Sequence, residues 1–197
     1  FVLFDGAPGQ VLALWYWISV DDGVMMWARA LNLLAAVYDL KATERFRERD
    51  ASTYSAIVSN LESDAFPGYG YFWVGLDVDA GVVSEMYAIA HELARDIAEG
   101  RVSEDEMARA RTRILERIEE SLESNRYWLS ALSRSHAEPE RLERIRTREA
   151  DYRAIDAAMI SELAARYLAP GEAFKASLYP QSAEIDAAFY DTETGGE

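Results

Sequence analysis

The segment "RERDASTY" at residues 47–54 sets a guanidinium and a phenol, Arg47 and Tyr54, seven positions apart at a helix-to-strand junction. Both groups donate hydrogen bonds. Two donors aimed at one peptide carbonyl would orient a bound chain and stabilise an oxyanion developing on it. A plainer reading stands beside this one. An arginine near a helix C-terminus is favoured by the helix dipole, and a tyrosine suits a strand.

Metal chemistry would need histidines, and the chain has only His91 and His136. "HELAR" at 91–95 begins like a zincin helix, but Arg95 stands where HExxH needs its second histidine. Ligands at i and i+4 must share a helix face to hold one ion. The reversed order HxxEH is absent as well. His91 therefore reads as a partly buried helix residue and His136 as a solvated one. The chain offers no GxSxG elbow and no Gly-rich phosphate loop. Carboxylates in "RILERIEESLE" alternate with arginines, which is the pattern of a solvated helix face with i,i+4 pairs. No catalytic residue and no metal ligand is expected within this chain.

Composition narrows the partners. Among 197 residues, 50% are apolar and 28% charged, which suits a globular core. A formal charge of −15 disfavours nucleic-acid backbones and anionic membranes. Cysteine is absent, so disulfides, thiolate catalysis and cysteine-ligated zinc are excluded. The sequence begins "FVLFDGAPGQ", without Met or a basic-then-apolar leader, and is expected to be a piece excised from a longer chain.

The elements that must position Arg47 and Tyr54 follow from periodicity. "QVLALWYWISV" alternates as a strand, and an apolar helix is expected from about Val24 to Arg47. "STYSAIVSNLES" and "YGYFWVGLDVD" read as two further strands, separated by the turn chemistry of "DAFPGYG". The period then changes to 3.6 and Gly100 supplies a stop. Ser103 and Glu106 form a capping-box signature that should start one long helix through "SNRYWLSALS". Pro139 opens another helix, Asp156 caps a last one through Tyr167, and "AFKASLYP" is a closing strand.

Strands at both ends with helices between predict an α+β fold: a two-layer sandwich, a mostly antiparallel sheet with helices packed on one face. A single domain is expected over residues 1–197, with its core at about 10–180 and a tail from 181. If the aliphatic side of each strand meets the helices, the opposite side holds Trp15, Trp17, Tyr69, Tyr71 and Trp73. A sheet face open to water is usually polar, so such an aromatic wall implies contact with a ligand or a neighbouring domain.

With these segments in place, the chain resembles the pitrilysin/insulinase zinc metallopeptidases, and specifically their C-terminal, non-catalytic domain. "RFRERDASTYS" is similar to the family junction L-R-E-x-x-G-x-x-Y-S, matching Arg47, Glu48, Tyr54 and Ser55. "FPGYGYFWVGLDVD", "GRVSEDEMARARTRIL", "SLESNRYWLSAL" and "YLAPGEAFKASLYP" resemble the segments that follow, in the same order.

The resemblance implies that Arg47 and Tyr54 contact a bound peptide near its scissile bond, with Trp15, Trp17, Tyr71 and Trp73 lining the chamber. It implies zinc in an N-terminal domain or partner subunit carrying HxxEH, with none bound here. The expected partners are that zinc-bearing domain and a peptide substrate, and the expected compartment is a bacterial cell envelope. An alternative within the same fold is a non-catalytic scaffold or assembly subunit. Ala51 stands where the family usually has Gly, which would strain a turn needing positive φ.

Overall fold

The structure is a computed structural model describing residues 2–4, 10–19, 25–50, 56–63, 66, 68–133, 135–169 and 173–180. For residues 2–4 and 47–50 it describes the backbone alone. Among the described residues, five strands form one sheet: β1 (Val2–Phe4), β2 (Gln10–Ser19), β3 (Ala56–Glu62), β4 (Gly70–Asp79) and β5 (Phe174–Pro180). Their spatial order is β1-β5-β2-β4-β3. The helices are α1 (Met25–Asp50), α2 (Val83–Ala98), α3 (Glu104–Leu122), α4 (Asn125–Leu132), α5 (Glu140–Ala154) and α6 (Ala157–Tyr167).

The two ten-residue strands are the backbone of the sheet. β2 and β4 pair antiparallel along their whole length, from Gln10 opposite Asp79 to Ser19 opposite Gly70. β5 adds antiparallel on the other side of β2, and β3 adds antiparallel outside β4. The short β1 pairs parallel with β5, a strand that the periodicity does not announce.

Opposed residues share a face, so the register fixes which side chains meet the helices. Trp15 lies opposite Val74 and Trp17 opposite Phe72. Those four residues, with Val11, Ala13, Leu76 and Val78, are buried beneath the helix layer. The expectation that Trp15 and Trp17 share the outer face with Tyr71 and Trp73 is thus corrected. Both tryptophans are 0% exposed, and Trp15 packs edge-on to Tyr87 of α2 at 4.4 Å between ring centroids. β2 is an interior strand with two apolar faces, and alternation alone cannot say which one turns inward.

α1 is buried around most of its girth, through Leu31, Leu33, Leu34, Val37, Tyr38, Leu40 and Phe46. Burying each such large side chain contributes roughly 1.5–3 kcal/mol. The Tyr38 hydroxyl donates to the Ala90 carbonyl at 2.7 Å and ties α1 to α2. Near its start Arg29, only 5% exposed, is paired with Asp151 and bonded to Thr147 on α5.

The helix boundaries follow their chemistry. Gly100 ends the α2 region at φ 81°, a left-handed conformation that costs glycine least. Ser103 and Glu106 close a full capping box at the start of α3. The single long helix expected beyond it is two. The Ser124 side chain accepts from the Tyr127 amide and caps α4, so the chain breaks after Leu122. Asp156 caps α6 through the Met159 amide at 2.9 Å, as its position predicts.

Candidate functional site

The face of the sheet away from the helices is apolar and aromatic. Tyr16 of β2 stands opposite Trp73 of β4 and Phe174 of β5. The Tyr16 and Trp73 rings are stacked, 18° apart in plane with centroids at 6.3 Å. Tyr71 stands 5.8 Å from Tyr16, and Tyr69 follows at 6.5 Å from Tyr71. Ile18, Ile57, Leu61 and Phe174 extend this surface, with Ile57 55% and Phe174 65% exposed. Leu12 and Leu14 fill its other end, beside the exposed Asp77.

Contiguous apolar surface of this kind is uncommon on an isolated protein and marks a contact surface. Stacked and tilted rings present broad, rigid area with polar tips, at little cost in side-chain entropy. The arrangement can hold an extended apolar or aromatic chain. Among the described residues it contains no nucleophile–base pair that would break one.

Of the residues singled out by sequence, Tyr71 and Trp73 lie on this face, and Tyr69 precedes them at its edge. Trp15 and Trp17 do not reach it. Tyr16 and Phe174 belong to it and were missed, because their places depend on cross-strand pairing. The available signal was the match in length between β2 and β4, which sets Tyr16 against Trp73.

Arg47 falls in the last turn of α1, as the junction reading requires, and its side chain lies outside the described residues. Tyr54 and Ala51 lie outside them too, in the segment between α1 and β3.

His91 sits half-buried in α2, with the Trp17 ring edge-on at 6.3 Å. Its Nδ1 is buried without a hydrogen-bond partner among the described residues. Burial, aided by the positive charge of Lys175, pushes its pKa below 6.5 and favours the neutral imidazole. No group of three His, Asp or Glu side chains among the described residues could hold a metal ion. No described helix is long and apolar enough to cross a membrane.

No protein-family profile matches the sequence, and no curated protein matches it. Solved structures do. A protease from Helicobacter pylori superposes with a TM-score of 0.75 at 12% identity, over 91% of this chain and 43% of that one. The M16 peptidase inactive domain from Pseudomonas fluorescens gives 0.67 at 14% identity, over 93% and 43%. An inactive peptidase domain ascribed to a zinc protease of Bordetella parapertussis gives 0.67 at 15% identity, over 93% and 98%. The chain spans less than half the length of the Helicobacter protease. At these identities the likeness concerns architecture: this chain has the α+β fold of M16-like peptidase domains, including domains described as inactive.

Proposed function

We propose that this chain is the peptide-binding, non-catalytic domain of a zinc endopeptidase, with the metal held by a separate domain or subunit carrying HxxEH. The observation that supports it most is the aromatic face built by Tyr16, Tyr69, Tyr71 and Trp73 on a sheet whose other side already carries the helices. Unfolded segments expose the apolar and aromatic side chains that such a wall takes up, with little demand on sequence. The likeness to inactive M16 peptidase domains points the same way.

In this reading the wall holds the chain and Arg47 and Tyr54 meet it near the bond to be cut. Their guanidinium and phenol donate to peptide carbonyls, fixing the segment and offsetting charge on an oxygen as the bond is attacked. Zinc, when bound by the other domain, supplies the activated water. This chain supplies position.

The test is zinc content and peptide cleavage by the purified chain, alone and mixed with a zinc-bearing domain of the same fold. The proposal expects neither bound zinc nor cleavage alone, and cleavage in the mixture. Zinc-dependent cleavage by the chain alone would defeat it. A scaffold role would leave the mixture no more active than the zinc-bearing domain by itself.

A further inference from the structure

On the helix side of the sheet, α3 sets Arg113 and Arg117 one turn apart, a spacing at which like charges repel. Arg148 of α5 comes to the same place, donating to the Ser121 hydroxyl at 2.9 Å and lying over the Tyr127 ring. The three guanidiniums line one cavity of about 500 Å³ against a single carboxylate, Asp39 of α1. Three positive charges against one negative leave an excess of two, in a chain whose net charge is −15.

The surrounding side chains do not absorb this excess. Arg113 reaches Asp39 only at 3.5 Å, and Arg117 has no ion pair among the described residues. Arg148 keeps a buried Nε with no partner among them, an arrangement that costs free energy unless an acceptor arrives. Arg101, Arg109 and Arg153, by contrast, each close on a carboxylate.

The floor between the charges is apolar. Ala35 and Ala36 of α1 and Ile114 and Ile118 of α3 line the same cavity. Its cationic ends are set apart along α3: Arg113 stands by Asp39, and Arg148 stands by Ser121. At the helical rise, positions 113 and 121 differ in level by about 12 Å, with Arg117 midway.

We propose that this cavity binds a small aliphatic dicarboxylate, with one carboxylate at Arg113 and Arg117, the other at Arg148, and the methylene chain on the alanine and isoleucine floor. Each carboxylate meets guanidinium donors in a planar fork, the geometry arginine serves best. The linking methylenes leave water for apolar surface. Two negative charges cancel the local excess, which a cleft wall of low dielectric makes more strongly felt. A monocarboxylate satisfies one end only, and a phosphate is too compact to reach both. The site lies across the sheet from the aromatic face and does not rest on the peptide-binding reading.

The experiment is titration calorimetry of the full 197-residue chain in low-salt buffer with adipate, hexanoate and inorganic phosphate. Adipate should bind one to a chain, at least about tenfold more tightly than either of the others. It should also raise the thermal midpoint, as a ligand of the folded state does. Arg117→Gln should weaken adipate binding about tenfold or more. Arg117 is exposed and unpaired among the described residues, so that variant keeps its fold. Arg113→Gln is the second variant and should act in the same direction. Arg101→Gln, outside the cavity, should leave adipate binding unchanged.

Hexanoate binding as tightly as adipate overturns the proposal, as does phosphate binding more tightly than adipate. So does an affinity that neither Arg113→Gln nor Arg117→Gln moves, or no saturable binding at all. None of these outcomes bears on the peptide-binding reading.

Discussion

The indole of Trp73 lies across Gly75, two residues on along the same strand, so closely that a Cβ at Gly75 would stand 2.8 Å from ring atom Cζ3. The same Cβ would press on Leu14 Cδ2 at 3.2 Å. Glycine here serves close approach, letting an indole rest flat on the sheet where Tyr16 can stack against it. The aromatic face thus depends on a residue with no side chain.

Gly75→Ala should therefore lift the Trp73 ring and disturb the stack. The expected cost is about 1–2 kcal/mol of stability by urea denaturation, with a changed near-ultraviolet circular dichroism spectrum. An unchanged spectrum would show that the ring has another seat.

The two tryptophan sites should behave oppositely. Trp17→Ala empties a fully buried position and should cost about 3–5 kcal/mol. Trp73→Ala together with Tyr71→Ala should cost less stability and weaken binding of an unfolded peptide about tenfold or more. Denaturation and titration calorimetry on the same preparations separate the two effects.

This contrast also marks the limit of what the sequence reveals. β4 was legible outright, because Phe72, Val74, Leu76 and Val78 alternate with Tyr71, Trp73 and Asp77. β2 was legible as a strand but ambiguous in facing, since both of its sides are apolar. Only pairing with β4 decides that Trp15 and Trp17 turn inward. The capping box at Ser103 and the cap at Asp156 were readable from local chemistry. The break after Leu122 was obscured, because helical segments lie on both sides of Ser124 with neither Gly nor Pro between them to mark a stop. β1 is three residues long and carries too little pattern to announce itself.

Acid should weaken the fold partly through His91. Burial lowers its pKa in the folded state below the usual 6.5, so the unfolded chain binds the proton more readily. Its contribution to stability is complete above about pH 6.5 and is lost as pH falls toward the lower folded value. Denaturation of His91→Gln across that window should show a shallower loss than the unaltered chain. An equal slope would exclude His91 as a contributor.

The pair between the buried Arg29 and the half-buried Asp151 joins α1 to α5. Asp151→Ala leaves the guanidinium without its carboxylate and should cost about 3 kcal/mol in denaturation. Replacing the exposed Glu149, paired with Arg153 on the same helix, should cost under about 1 kcal/mol.

The most direct measurement is kcat/KM for peptide cleavage by the assembled, zinc-loaded endopeptidase carrying Arg47→Ala and Tyr54→Phe. If these side chains donate to the substrate near the scissile bond, kcat/KM falls by roughly a hundredfold or more, with zinc content unchanged. Unaltered kcat/KM in that double variant would contradict a role for this chain in holding the peptide under attack.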